Sequence, residues 1–254
     1  MARAFLVLLA LLPLTALADP ESDVRNAVIA IGNTSYTWET TVRQKFAAET
    51  SEPRLNPNAA IEVQGKTDPD TFTEITLMPS PQALTVPVTA VSRTGDSVSN
   101  TPLGWMRRTE MRSSPGPDRT VDFDGKQVRL SKALSVGLRA TALRKLSEDL
   151  FDLMDDLKSY RETSGLVMAD LRDAAIEKLW GDARAKSAPE VQGTVIFKLS
   201  EQGVTECHIV LAIGFPNSRT KKIAWTMQQW STRVSGIGST KVDPPAAAVK
   251  RLEE

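Results

Sequence analysis

Residues 191–213 read VQGTVIFKLSEQGVTECHIVLAI and indicate the fold class. From Val195 to Leu199 every second side chain is large and apolar, which is the period of a β-strand. A second apolar run follows at 204–213, after a short polar turn at 201–203. Two such runs joined by so short a turn predict an antiparallel hairpin.

Other segments of the chain have the same strand-like character. Residues 36–42 alternate strictly, with aromatic and β-branched side chains on one side. The remaining predicted strands are 60–67, 72–78, 83–93, 98–107, 223–234 and the short segment 239–242. Pro87 lacks an amide hydrogen, so it predicts an edge strand or a bulge in its segment. Strands in consecutive runs with short turns predict an antiparallel sheet.

Four segments have the period of amphipathic helices. They are 19–31, 132–163, 170–180 and a terminal helix from Pro244 to about Leu252. The long helix rests on side chains spaced three and four apart, namely Leu143, Leu146, Leu150, Leu153, Leu157 and Tyr160. We expect this stripe to pack on the sheet and not to form a coiled-coil dimer. The fold predicted is α+β, a curved antiparallel β-sheet with helices packed on one face.

Residues 1–18 read MARAFLVLLALLPLTALA and contain the three parts of a signal peptide in order. Arg3 supplies the positive start, and Ala16-Leu17-Ala18 is a cleavage signal that places the cut before Asp19. The alternative is a buried N-terminal helix. No later segment is apolar enough to span a membrane. The sequence therefore predicts an exported protein, periplasmic or extracellular, with residues 19–254 as a single α+β domain.

The composition excludes several classes of function. The 254 residues carry 31 basic and 31 acidic side chains, one Cys and one His. A formal net charge of zero leaves no general basic surface for nucleic-acid phosphates. One Cys excludes an internal disulfide and a Cys-rich metal site, and one His excludes multi-His metal sites. We expect no metal, no cofactor and no nucleic-acid partner.

Two short motifs are similar to a nucleotide-binding motif and a catalytic pair, but both have simpler structural interpretations. Gly65-Lys66-Thr67 is similar to the end of a phosphate-binding loop, but position 60 is Ala where that pattern requires Gly. A strand that ends in a turn is the simpler interpretation. Cys207 and His208 are adjacent in a predicted strand, so their side chains point to opposite faces and cannot form a catalytic pair. We expect Cys207 to be a buried, dispensable core residue.

Two clusters of charge have the same ambiguity. Five carboxylates lie close together at Glu148, Asp149, Asp152, Asp155 and Asp156. A single helix offers no oxygen cage for a cation, so we interpret them as a solvated helix face. Arginines lie beside Trp105 at positions 107, 108, 112 and 119. They could meet an anionic lipid head group or polymer, and a solvated loop is the alternative.

Short motifs in order along the chain resemble those of a group of uncharacterised bacterial exported proteins. They are Asn33 with residues 35–41, Gly65-Lys66-Thr67 with Phe72, Gly104-Trp105, residues 193–197 with Gly203-Val204, and residues 236–242 with Pro245, Ala248 and Leu252. This plan also resembles, more distantly, the LolA/LppX class of lipoprotein carriers and lipid-binding proteins. The resemblance implies a half-barrel sheet curved around helices with an apolar cavity between them.

These observations predict a non-catalytic protein of the cell envelope. It would bind an apolar or amphipathic ligand, such as a lipid or a lipoprotein acyl chain, in a cavity between sheet and helices. The predicted ligand-binding residues are Trp38, Phe72, Phe197 and Trp230, which lie in four separate strand-like segments. One alternative is a structural or protein-interaction module whose filled core uses the same residues. The other is a hydrolase with two carboxylates in a cleft.

Overall fold

Eleven antiparallel strands form one curved sheet that does not close. The structure is a computed structural model that describes residues 19–47, 54–79, 84–114, 118–180, 188, 190–216 and 223–254. Within them the strands are β1 Tyr36–Ala47, β2 Arg54–Thr67, β3 Thr73–Leu77, β4 Val88–Arg93, β5 Asp96–Thr101, β6 Gly104–Arg107, β7 Thr120–Phe123, β8 Lys126–Arg129, β9 Leu157–Thr163, β10 Leu166–Leu171, β11 Glu190–Ser200, β12 Gly203–Pro216 and β13 Ile223–Ser235. The helices are α1 Pro20–Gly32, α2 Arg108–Ser113, α3 Leu130–Ala140, α4 Leu146–Met154, α5 Asp173–Trp180 and α6 Ala246–Glu253.

The sheet joins the two runs of strands predicted from the sequence. Its order is β6-β5-β4-β3-β2-β1-β13-β12-β11-β10-β9, and β7 and β8 form a separate hairpin. The junction is the antiparallel pair β1 and β13, in which Val42 lies opposite Trp230. The α+β class and the antiparallel sheet are therefore confirmed, and the predicted hairpin is β11–β12.

Helices α1, α4 and α5 cover one face of the sheet at its β9–β12 end. The main core lies beneath them, where Val195 and Phe197 are fully buried under Leu150 and Leu153 of α4. Helix α3 covers the same face at the other end and packs on Val88 and Ala90 of β4. Because successive strand residues point to opposite faces, Val91 faces the other way, and there the C-terminal helix α6 packs on it. One helix therefore lies outside the predicted layer.

The predicted long helix 132–163 is wrong in extent. The structure has α3, then α4, then the edge strand β9 in its place. The leucine stripe is helical only within α4, and Leu157 begins a strand whose partner is β10. The turn between β9 and β10 uses Gly165 at a positive φ of 75°, which glycine adopts without strain. Pairing between neighbouring strands thus overrides a local helical period.

Four smaller predictions also need correction. The segment 98–107 is the hairpin β5–β6 and not one strand. Pro87 lies just before β4, which is an inner strand with no register shift, so the proline marks neither an edge strand nor a bulge. The start of the predicted helix 170–180 belongs to β10, and α5 begins at Asp173. Residues 239–242 form a turn and an irregular segment.

The signal peptide predicted at residues 1–18 lies outside the described residues, so it and the division into one mature domain remain predictions. Among the helices of the described residues, none has the length and apolar character needed to cross a membrane.

Candidate functional site

A line of apolar side chains crosses the middle of the helix-bearing face. Ile61, Val42, Trp230 and Ile209 are direct cross-strand neighbours on β2, β1, β13 and β12. We call these four residues the apolar row. The core continues beyond Ile209 to buried Val195. Ile61 is 41% exposed, and the other three members of the row are half-buried. The row is therefore the uncovered extension of the core between α3 and α4.

A recess opens at the Ile61 end of the row, and we call it the α3 recess. Its volume is about 370 Å³. Its walls are Val42, Ile61, Val63, Leu77, Met78, Leu84, Val86, Val136, Arg139, Ala142 and Leu143. Ten of these eleven side chains are apolar, and Leu143 is 38% exposed although it is large and apolar. Concave, mostly apolar surfaces with few polar groups are typical of small-molecule sites.

A second recess of about 350 Å³ opens at the other end of the row, and we call it the α4 recess. Trp230 and Ile209 form part of its floor, and Leu146, Leu150 and Leu153 form one wall. Leu179 of α5 also lines it. The apolar row therefore connects two recesses, and we call the row and both recesses together the trough.

The rim of the α4 recess carries charge. Arg144 donates a hydrogen bond from Nε to Glu148 at 3.2 Å and also pairs with Asp149 and Asp152. Partial burial raises the pKa of the Asp149 carboxyl, and the Arg144 guanidinium offsets part of that rise. All four side chains are partly solvated, so the predicted solvated acidic helix face is confirmed for Glu148, Asp149 and Asp152. Asp155 and Asp156 follow the end of α4.

The opposite face of the sheet has a different character. Lys198, Glu206, Arg233 and Glu39 are cross-strand neighbours there and alternate in charge. They border a cavity of about 750 Å³. Lys198 Nζ lies 3.1 Å from Glu206 Oε1, so two of these four charged side chains pair with each other across the sheet. The apolar trough is the stronger candidate site, because its apolar side chains stay partly exposed to water and a ligand could bury them.

Comparisons with known proteins identify no relative by sequence. No protein family matches the chain, and no curated protein matches it. A solved structure described as lipid–protein interactions in lipovitellin has a TM-score of 0.33 and 8% identity, over 85% of this chain and 26% of that chain. The present chain thus spans about a quarter of that chain's length. A likeness this distant supports no conclusion about the fold or function of the present chain. The LolA/LppX resemblance therefore stays a prediction.

Two of the four predicted ligand residues are core residues. Trp38 is 4% exposed and Phe197 is fully buried, and both belong to the main core. The indole of Trp38 lies over Gly65, its direct neighbour on β2, where a Cβ atom would overlap the ring. Gly65 of the motif Gly65-Lys66-Thr67 therefore makes room for Trp38, and the motif ends a strand as expected.

The other two predicted residues lie apart from each other. Trp230 packs against the main core and lines the α4 recess, so it faces the trough. Phe72 packs under α6 beside Leu252, and the guanidinium carbon of Arg93 lies 5.3 Å from its ring centroid. The structure therefore unites Trp38, Phe197 and Trp230 and separates Phe72. Whether any of them binds a ligand stays a prediction.

Cys207 and His208 point to opposite faces of β12, as predicted. The Cys207 thiol is buried, and this burial raises its pKa to about 12. His208 is partly exposed on the other face, with Nε2 at 3.4 Å from Glu206. A protonated thiol held away from the imidazole cannot act with it as a nucleophile.

The predicted basic stretch has a structural use at one position. Arg107 donates from Nη2 to the backbone carbonyl oxygens of Arg251 and Leu252, at 3.2 and 3.5 Å. These carbonyls lie in the last turn of α6, where a cation is favourable. Arg251 in turn pairs with Glu110 of α2. Arg107 therefore holds α6 against β6, and Arg251 holds it against α2.

Several trough residues were not predicted as ligand-binding residues. The sequence pattern predicts Ile61, Val42 and Ile209 only as ordinary strand residues, and it predicts Leu143 within a continuous helix. The signal that could identify them is a large apolar side chain on the helix-bearing face of a strand, at a position that no helix covers. That signal becomes visible only with the register between strands.

Proposed function

We propose that this protein is a non-catalytic binding protein of the cell envelope, and that its ligand is an apolar or amphipathic molecule held in the trough. One observation carries the proposal: the apolar row from Ile61 to Ile209 joins two recesses on one face of the sheet. A ligand lying on the row would cover side chains that the helices leave partly exposed.

The driving force would be burial of apolar surface. Each 100 Å² removed from water contributes about 2.5 kcal/mol. Ile61 at 41% exposure and Leu143 at 38% would both gain from a ligand chain against them. The adjacent core is already packed, so the floor of the trough is preorganised and binding would cost little ordering of the protein.

A non-catalytic role is part of the proposal. The one cysteine and the one histidine of the chain lie on opposite faces of β12, and the thiol is buried and protonated at neutral pH. The walls of the α3 recess contain one ionisable side chain, Arg139. A guanidinium stays protonated at all ordinary pH values, so it is a poor acid or base and suits binding better.

Export is the second part of the proposal, and the sequence of residues 1–18 supports it. Asp19 accepts a hydrogen bond from the amide of Glu21 at 3.2 Å and so caps α1. A cut before Asp19 would leave that helix cap intact. N-terminal sequencing of exported protein should begin at Asp19, and mature protein that still contains Arg3 would contradict the proposed processing.

An interaction module is the second candidate, and one observation favours it. Trp38 and Phe197 are packed in a filled core and are inaccessible to a ligand in this conformation. If the trough binds no small molecule, its partly exposed row would instead be a surface for another protein.

Tryptophan fluorescence tests the proposal, with dodecanol and dodecanoate as probes. The emission of half-buried Trp230 should shift to shorter wavelength as a chain displaces water from it. Trp230→Phe should remove the shift, and Trp105→Phe, which alters a ring under α6, should keep it. An unchanged spectrum at saturating concentrations of both probes, together with no co-purified lipid in native mass spectrometry, would overturn the proposal.

A matched pair of charge substitutions tests the place of binding. Ile61→Glu puts a carboxylate into the row, and Ile29→Glu puts one on α1 at a nearly equal exposure of 44%. Only Ile61→Glu should abolish binding of dodecanol, a neutral probe. Equal binding of dodecanol by both variants would show that the binding site lies away from the row.

A further inference from the structure

The α3 recess holds a single charge on an otherwise apolar wall. Arg139 lies in the last turn of α3 and is exposed. Within the described part of the chain, its guanidinium makes no ion pair and no hydrogen bond. The other ten residues of the wall are apolar. A guanidinium with no ion-pair partner among the described residues, placed beside an apolar recess, provides both parts of a site for an anionic amphiphile: a partner for the head group and a surface for the chain.

The α4 recess has the opposite balance of charge. Asp149, Asp152 and Asp156 line it together with Arg144, whose guanidinium already pairs with Glu148, Asp149 and Asp152. Among the residues that line this recess, carboxylates therefore outnumber guanidinium groups three to one. An anionic head group would be repelled from the α4 recess and attracted to the α3 recess, while an apolar chain tail is insensitive to the difference.

The shape of the floor limits the ligand to one chain. The row has one side chain on each of four strands, so it is one residue wide. Strands lie about 4.8 Å apart, so the row is about 14 Å long. The volume of the α3 recess, about 370 Å³, is near the lower end of the range for ligand pockets.

We propose that the ligand is a long-chain carboxylate, held with its head group at Arg139 and its chain along the apolar row toward the α4 recess. This inference rests on the proposed function and adds the class and direction of the ligand. A carboxylate matches the two parallel N–H donors of a guanidinium. Arg139 is exposed, so this pairing contributes modestly, and burial of the chain on the apolar row supplies most of the binding free energy.

The test compares three probes with one chain length and different head groups: dodecanoate, dodecanol and dodecyltrimethylammonium. Wild-type protein should bind dodecanoate most tightly and the ammonium probe least. Arg139→Gln should weaken dodecanoate binding by up to about fivefold, as expected for an exposed ion pair, and leave dodecanol binding unchanged. Arg139→Lys should restore part of the affinity. Arg112→Gln is the matched control, because it removes an exposed arginine of α2 away from the trough.

The outcomes separate this inference from the proposed function. If dodecanol binds as tightly as dodecanoate and Arg139→Gln changes neither, the head-group assignment is wrong and the proposed function stands. If no probe binds, the proposed function fails as well. If vesicles of anionic diacyl phospholipid compete far better than dodecanoate, or if sedimentation shows a dimer that Ile61→Glu dissociates, the trough holds a phospholipid or a second copy and the single-chain inference is overturned.

Discussion

The hydroxyl oxygen of Tyr36 accepts a hydrogen bond from the backbone amide of Ser147 at 3.0 Å. Tyr36 begins β1 and is fully buried, and Ser147 is the second residue of α4. The first amides of a helix have no partner within it, and Lys145 supplies no side-chain cap. The tyrosine therefore caps the helix that walls the α4 recess. Burial raises the pKa of the Tyr36 hydroxyl, and the bond from Ser147 lowers it in part.

Tyr36→Phe should destabilise the protein by about 1–3 kcal/mol, because the buried Ser147 amide loses its acceptor. Urea unfolding of the two proteins measures the difference. Tyr160→Phe is the control: Tyr160 is half-buried and its hydroxyl bonds to no described residue, so a change below about 0.5 kcal/mol is expected. Equal stability of Tyr36→Phe and wild type would mean that water or a shifted helix replaces the cap.

Gly65→Ala should destabilise the protein and displace Trp38. The new Cβ atom would overlap the indole ring, and overpacking a core costs about 1–3 kcal/mol. The emission of Trp38 should also move to longer wavelength as the ring is expelled toward water. At Gly32 an added Cβ would make ordinary contact with Ser147, so Gly32→Ala should be nearly neutral. Similar effects of the two substitutions would contradict this account of Trp38.

Leu150→Ala should cost about 2–5 kcal/mol in a protein that stays monomeric. Leu150 is buried in the main core and lines the α4 recess. Its neighbour Phe151 is 47% exposed, so Phe151→Ala should change stability far less. Chemical unfolding and sedimentation are the measurements. A wild-type dimer that Leu150→Ala converts into a stable monomer would show that α4 is an interface.

Cys207→Ala should cost about 1 kcal/mol at pH 7 through lost packing. The cost should shrink at alkaline pH. Because the folded pKa of Cys207 is about 12, the unfolded chain releases this proton near pH 9 and the native protein keeps it. The stability of wild type therefore falls by up to about 1.4 kcal/mol per pH unit above that point.

Urea unfolding at pH 7 and pH 10 measures this difference between wild type and Cys207→Ala. The two proteins should approach equal stability at pH 10. A constant difference at both pH values, or rapid reaction of the native thiol with a thiol reagent at pH 7, would show that Cys207 is accessible.

Much of the fold was predictable because it is encoded locally. The alternation in 36–42 and 191–213 matches β1, β11 and β12, and the first and last helices lie within a residue or two of their predicted ends. The opposite directions of Cys207 and His208 also follow from the period of a strand. These features depend on neighbours in sequence, so a single segment contains all the information they need.

The failures share a physical cause, which is dependence on distant partners. Leu157 and Tyr160 continue a helical spacing, yet they lie in β9 because β10 supplies its hydrogen-bonding partner. Phe72 and Trp38 are both aromatic residues in strand-like segments of the sequence. Phe72 nevertheless packs in a separate cluster, because α6 from the far end of the chain contacts it.

The trough also depends on contacts between segments that are far apart in the sequence. Val42 and Trp230 become neighbours only through the pairing of β1 with β13. Arg139 lies beside an apolar recess only because strands from much earlier in the chain form the other walls. Local periodicity specifies which face of each strand is apolar. Which apolar side chains meet, and which stay uncovered, is set by register and by the reach of the helices, because burial is a property of the whole packed chain.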